Sequence, residues 1–250
     1  MPRWPNPRPE RWPPSSRLSA AAGLVPPGSA VADVGTDAAT LPLWLLETGA
    51  AARCIATDRS AAGLDAARRR GLGHVAAGRL VLRCGEGLSA LAPGDALDVL
   101  ALCGLGARTI VGILGDPRLA TLGLRRLVLQ PQTEPALVRR WLFDHAWTIV
   151  AEVLVREREH DYVVIAAEPG RTAPTGGDHD ADAELLLEAG PCLLASPDPL
   201  VADHWRRELW RQKRILTRGA AGPGRARALR GLGLARRVLD RLARNAHGGR

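Results

Sequence analysis

"VADVGTDAATLP", residues 31–42, reads as a short apolar strand that ends at Val34, turns at Gly35 and enters a helix. A glycine in that place lets the chain turn sharply and lets a ligand come close to the backbone. Dinucleotide loops carry two or three glycines beside a helix N-terminus, which suits a pyrophosphate. Here Asp37 and Ala39 stand where further glycines could be, and Asp33 lies on the other side of the turn. Two carboxylates repel a pyrophosphate. They suit a ligand with positive charge, such as the amino group and sulfonium of S-adenosylmethionine (SAM). An ordinary strand–helix turn with Asp37 as N-cap is the plainer reading.

Outward from this turn the chain alternates between strand and helix. Strands are expected at Ala30–Val34, Arg53–Thr57, Leu80–Cys84, Leu97–Leu102 and Arg125–Gln130, each a Val/Leu/Ile-rich run bounded by Gly, Pro or Asp. Helices are expected at Ala38–Glu47, Ala61–Arg70, Ala107–Leu114 and Glu134–His145. Such alternation implies a parallel α/β sheet covered on both faces. Two further strands, near Trp147–Val155 and Asp161–Ala167, are separated only by "REREHD" and should pair as an antiparallel hairpin at the sheet edge.

The strand ends carry the chemistry. The second strand ends at Asp58, 23 residues beyond Gly35, where an acid in a doubly wound fold accepts the ribose hydroxyls. The third is followed by "GEGL", Gly85–Leu88, which puts Glu86 beside the expected adenine. The fourth ends in "LCGLGA", Leu102–Ala107, whose small residues around Cys103, Gly104 and Gly106 leave room for a substrate base. Asp33, Asp37 and Asp58 are expected to converge on one crevice at the carboxyl edge of the sheet.

The 250 residues, 46% of them hydrophobic, suffice for one large domain with appendages. No apolar run approaches the roughly 18–20 residues of a membrane span, and residues 1–16 lack the apolar core of a secretory signal. Both point to the cytoplasm. That Pro/Arg-rich segment is expected to be a disordered arm. The four cysteines lack metal or redox spacing and read as buried free thiols. "DHD", Asp178–Asp180, lies in a Gly/Pro linker and reads as solvated loop; no metal is expected. His145 reads as a helix-end residue. The net charge of +8 favours polyanionic partners, although Lys213 is the only lysine, as a GC-rich genome would impose. Placement is more telling. Arg206–Arg244 holds thirteen basic residues against Glu208 and Asp240, on helices expected from about Leu200 to Thr217 and Arg225 to Arg244, after a shorter one near Glu184–Glu188 and the turn "GPCLL".

From about Ser16 to Leu216 the chain resembles the bacterial tRNA (adenine-22-N1)-methyltransferase family. The resemblance runs through "SSRL", "PPGSAVADVGTDAATLP", "GEGLSALAPGDALDVLALCGLGARTIVGIL", "LQPQ", "WLFDHAW" and "YVVIAAEPG" to "AGPCLL". It implies a Rossmann-like class I methyltransferase domain over residues 17–170. It also implies a linker and helical, coiled-coil-like domain over 171–250 that helps to hold tRNA. A monomer is expected. The chain departs from the family pattern at Ala38 and Thr40, in place of His and Tyr, and at Glu86 and Gln132, in place of Asn. Cofactor binding is expected at Asp33, Gly35, Asp37, Asp58, Gly85, Glu86 and Gly104, with Asp33 and Asp37 at the methionine end, Asp58 at the ribose and Glu86 at the adenine. The acceptor site is expected at Cys103, Gly104, Gln130 and Gln132; with Ala38 in place of the family His, Asp161 and Tyr162 on the hairpin are the candidate proton acceptors, Tyr162 also reading as a packing residue. A homologue that binds SAM or tRNA without catalysis is the alternative, prompted by Ala38 and Gln132. A nicotinamide oxidoreductase is opposed by the acidic turn.

Overall fold

A computed structural model describes residues 15–170 and 180–248. The expected arm therefore lies almost wholly outside the described residues, as do Asp178 and His179 of "DHD". The chain divides into two compact units, one up to Arg171 and one from Thr172 onward.

In chain order the first unit contains α1 (Ser16–Gly23), β1 (Ser29–Val34), α2 (Thr40–Glu47), β2 (Ala51–Asp58), α3 (Ala61–Arg70), the short α4 (Leu72–Ala76) and β3 (Leu80–Cys84). It continues with β4 (Val99–Leu105), α5 (Ala107–Leu114), β5 (Arg126–Pro131), α6 (Pro135–Asp144), β6 (Trp147–Glu157) and β7 (His160–Pro169). The seven strands form one sheet in the order β3-β2-β1-β4-β5-β7-β6. The strands β1 to β5 are parallel, and β7 runs antiparallel to both β5 and β6. The expected parallel sheet with an antiparallel edge hairpin is thus what forms. Strand β1 is buried along its whole length, and Val31, Val99, Ala101 and Val128 on its side of the sheet meet Leu41, Leu43 and Leu45 of α2. The chain order reverses between β1 and β4, and a parallel sheet opens a crevice beyond the carboxyl ends of its strands at such a point.

Two element boundaries differ from expectation for local reasons. The first helix after β1 begins at Thr40 rather than Ala38, because Asp37 (φ 50°) and Ala39 (φ 54°) are left-handed. Ala39, not Asp37, is its N-cap. Strand β4 runs on through Leu105 instead of ending at Leu102. Cys103 pairs with Gln130 and Leu105 with Pro131, so Gly104 is the extra residue of an irregularity. It begins two residues later than expected, after the left-handed Ala96 (φ 46°).

The second unit contains α7 (Asp180–Ala189), α8 (Pro191–Leu194), α9 (Pro199–Thr217) and α10 (Gly222–Gly248). The turn expected at "GPCLL" is the short helix α8, with Pro191 in its first turn, where the missing N–H costs nothing. Helix α9 buries Val201 and Trp205, and α10 buries Ala228, Ala235 and Val238. Both are amphipathic at helical spacing. They approach closely: a Cβ on Gly231 would lie 3.0 Å from the Gln212 side chain. The face left to solvent carries Arg206, Lys213, Arg218, Arg225, Arg227, Arg230, Arg236, Arg241 and Arg244, all exposed.

Candidate functional site

The turn after β1 takes the backbone course of a multi-glycine loop with one glycine in it. Gly35 has φ 77°, and a Cβ there would come within 3.2 Å of Leu105 Cδ2. Asp37 and Ala39 then hold left-handed conformations at a cost on the order of 1 kcal/mol each. Hydrogen bonds donated to the neighbouring strand β2 hold the turn. The Gly35 and Thr36 amides both donate to Thr57 O, at 2.9 and 3.0 Å. The Asp37 amide donates to Asp58 Oδ2 at 2.9 Å, and the Ser60 amide donates to Asp58 Oδ1 at 2.8 Å. Asp58 thus ties the turn to the end of β2.

A cavity of about 580 Å³ opens above these strand ends. It is lined by Gly35, Asp58, Gly85 and Glu86, together with Arg59, Leu105, Thr109, Ile113 and Asp116. Its size and the acids that line it, Asp58, Glu86 and Asp116, suit a ligand the size of a nucleoside derivative. Asp58 lines it, whereas Asp33 and Asp37 lie on either side of the adjoining turn. Asp33 is buried beneath the turn, where its Oδ2 accepts the Thr36 hydroxyl at 2.5 Å. Burial pushes its carboxyl pKa up to about 6; the Thr36 hydrogen bond opposes that rise, and the nearby Asp58 charge adds to it. The exposed Asp37 carboxylate lies instead at the first turn of α3, close to Gly63.

The remaining candidates gather at the ends of β4 and β5. Gln130 is fully buried; its Oε1 accepts the Gly104 amide at 3.0 Å and its Nε2 donates to Pro131 O at 2.9 Å. Gly104 has φ 76°, which favours glycine. The Gln132 amide donates to Leu105 O at 2.9 Å, and its side-chain Nε2 lies 3.7 Å from where a Cβ on Gly104 would be. Burial and the Asp33 charge push the Cys103 thiol well up, so it stays protonated. Asp161 is ion-paired with Arg156 at 2.8 Å, and Arg17 lies over the ring of Tyr162. His145 stacks on Trp141 at the end of α6. Of the cysteines only Cys54 is buried; Cys84 is exposed, and Cys103 and Cys192 are half-buried, so the expectation of four buried thiols is corrected. Among the described residues no group of three or more His, Cys, Asp or Glu side chains could hold a metal, and no helix is long and apolar enough to cross a membrane.

Residues 31–224 match the family model described as tRNA (adenine(22)-N(1))-methyltransferase. The chain belongs to that family. A Bacillus subtilis tRNA (adenine(22)-N(1))-methyltransferase is 28% identical over 195 residues, covering 78% of this chain and 81% of that protein. A candidate tRNA methyltransferase of Mycoplasma pneumoniae is 32% identical over 156 residues, 61% of this chain and 70% of its own. A Streptococcus pneumoniae structure of a candidate tRNA (m1A22) methyltransferase in complex with S-adenosyl-L-methionine superposes with a TM-score of 0.77 at 28% identity, covering 90% of this chain and 99% of that one. As a family member the chain is a SAM-dependent tRNA adenine-N1 methyltransferase. The reading as a homologue without catalysis finds no support.

Sequence reasoning missed Arg59, Leu105, Thr109, Ile113 and Asp116 as cavity residues. A signal was available. Thr109 and Ile113 stand four residues apart and so share one face of α5, between Leu105 at the end of β4 and Asp116 just beyond the helix.

Proposed function

We propose that the chain methylates N1 of an adenine in tRNA, at position 22 as the family description has it, and that the cofactor's adenosine occupies the cavity between Gly35, Asp58 and Glu86. The observation that carries this placement is the pair of acids at the ends of adjacent strands β2 and β3, both lining one cavity beside a glycine turn. Asp58 keeps lone pairs for the ribose hydroxyls after accepting two backbone amides, and Glu86 accepts from the adenine amino group. Arg59 and Ile113 close the walls. When bound, SAM supplies an electrophilic methyl group on a sulfonium. Asp33, buried under the turn, favours that positive charge across the backbone of residues 34–36.

Adenine N1 carries its own lone pair, so the protein need not supply a general base. Its task is to hold the base in line and to exclude water. Neither the occupied Asp161 nor the protonated Cys103 is required for proton transfer. N1 lies on the Watson–Crick edge, so the target base must be unpaired or turned out of its stack. Gly104 leaves the space, Gln130 fixes the Gly104 backbone, and the Gln132 amide meets the base. The basic faces of α9 and α10 follow the tRNA phosphates, and the Arg214 guanidinium over the exposed Trp210 ring, 4.7 Å from its centroid, offers a stacking surface. The chain acts as a monomer in the cytoplasm.

Mass-spectrometric nucleoside analysis of tRNA incubated with the protein and SAM tests the assignment. N1-methyladenosine is the expected product. A methylated base of another kind, or none, overturns it.

A further inference from the structure

The motif "SSRL" brings Arg17, in the first turn of α1, to the acceptor side of the sheet. Its Nη1 donates to Gln132 Oε1 at 3.3 Å. Its guanidinium lies over Tyr162 of β7, 5.2 Å from the ring centroid. Its Nε faces Glu157 Oε2 of β6 at 3.9 Å, and both atoms are buried without a hydrogen bond. The guanidinium is therefore held by an aromatic face, a carboxylate and an amide on three different strands or strand ends. Only one of these partners, Gln132, reaches toward Gly104.

We propose that Arg17 is a positioning residue for methyl transfer: it fixes the Gln132 side-chain amide in one orientation, with the NH2 group turned toward Gly104 and the target base. This rests on the reading of Gln132 as part of the acceptor site. The amide of a glutamine can turn over by a rotation of its last torsion, which presents a carbonyl where an NH2 stood. Occupation of Oε1 by the guanidinium removes that freedom. The backbone of Gln132 is fixed separately, by its amide bond to Leu105 O. Besides the reacting N1, adenine offers acceptors at N3 and N7, so a donor held in one direction toward either of them selects how the ring faces the methyl group. Arginine suits this role better than lysine, because its planar fork can bond the amide while stacking on Tyr162. The first helix of the unit thereby becomes part of the catalytic face rather than only a cover for the sheet.

A double-mutant cycle on the full-length protein tests this, with kcat and KM for tRNA, SAM affinity and melting temperature measured for Arg17→Ala, Arg17→Lys, Gln132→Ala and Arg17→Ala/Gln132→Ala. Gln132→Ala should lower kcat on the order of 100-fold. Arg17→Ala should lower it on the order of 10-fold through misplacement, with KM and SAM affinity little changed. The double variant should be no slower than Gln132→Ala, and Arg17→Lys should rescue little. Multiplicative losses, or a rise in KM without a fall in kcat, would overturn the inference while leaving the role of Gln132 intact. Full kcat in Gln132→Ala would overturn the acceptor-site reading itself, and this inference with it. If Arg17→Ala does not fold, Arg17→Lys against Gln132→Ala completes the cycle with the same two outcomes.

Discussion

Replacing Asp58 should separate cofactor binding from folding. Its carboxylate has two structural duties, accepting the Asp37 amide at 2.9 Å and the Ser60 amide at 2.8 Å, and it also lines the cavity. In Asp58→Asn one oxygen remains to accept a backbone amide. The other becomes an NH2 that faces a donor and can no longer accept from ribose with the strength of a charged group. A hydrogen bond to a charged acceptor contributes about 1.5–3 kcal/mol, so SAM should bind roughly ten- to hundredfold more weakly. Asp58→Ala removes both backbone ties as well. It should also release the left-handed Asp37 and lower stability by about 0.5–1.5 kcal/mol, the net contribution of a hydrogen bond that water can replace. Calorimetric titration with SAM and urea unfolding of both variants give the two quantities separately. An affinity within twofold of the parent in a folded Asp58→Asn protein would refute the assignment of Asp58 to the cofactor.

Three other outcomes follow from the same geometry. Asp33 has its carboxyl pKa raised from 3.8 to about 6 by burial. The folded state thus holds that proton more tightly, and stability should fall as pH rises from about 4 to 6, by on the order of 3 kcal/mol; urea melts of Asp33→Asn over this range should lack that component. Arg139 and Glu152 form a buried ion pair at 2.7 Å between α6 and β6, with side chains 1% and 0% exposed. Arg139→Met leaves the carboxylate buried without that partner and should cost about 3–5 kcal/mol, read from the unfolding midpoint. Replacing the exposed Arg227, Arg230 and Arg241 by alanine should weaken tRNA binding and flatten its salt dependence, by about 0.7–0.9 in the log–log slope for each phosphate no longer neutralised; filter binding across a salt series with an unchanged slope would remove α10 from the tRNA interface.

Much of the fold was legible because its strands are short apolar runs cut by Gly, Pro and Asp, and because "REREHD" is too short for a crossover. Boundaries failed where backbone conformation overrode residue type. Nothing in Asp37 or Ala39 announces a left-handed φ, yet the hydrogen bonds to Thr57 O and Asp58 impose that course on the turn. Strand β4 outran its expected end because the glycines of "CGLG" look like a loop, whereas pairing with Gln130 and Pro131 carries the ladder past them. At the site, Asp58 and Glu86 were legible from their place at strand ends. The burial of Asp33 under the turn and the approach of Asp37 to Gly63 were not legible, since side chains on either side of a turn need not face the same way. The Arg17 hydrogen bond joins positions 115 residues apart, a distance at which spacing carries no signal.

The most direct test of the account is primer extension on a tRNA bearing adenine at position 22, after incubation with the protein and SAM. A methyl group on N1 blocks Watson–Crick pairing, so reverse transcriptase should halt one nucleotide before position 22, only when SAM is present, and with Asp58→Asn the halt should need correspondingly more SAM. Full-length extension, or a halt at another nucleotide, would contradict the account.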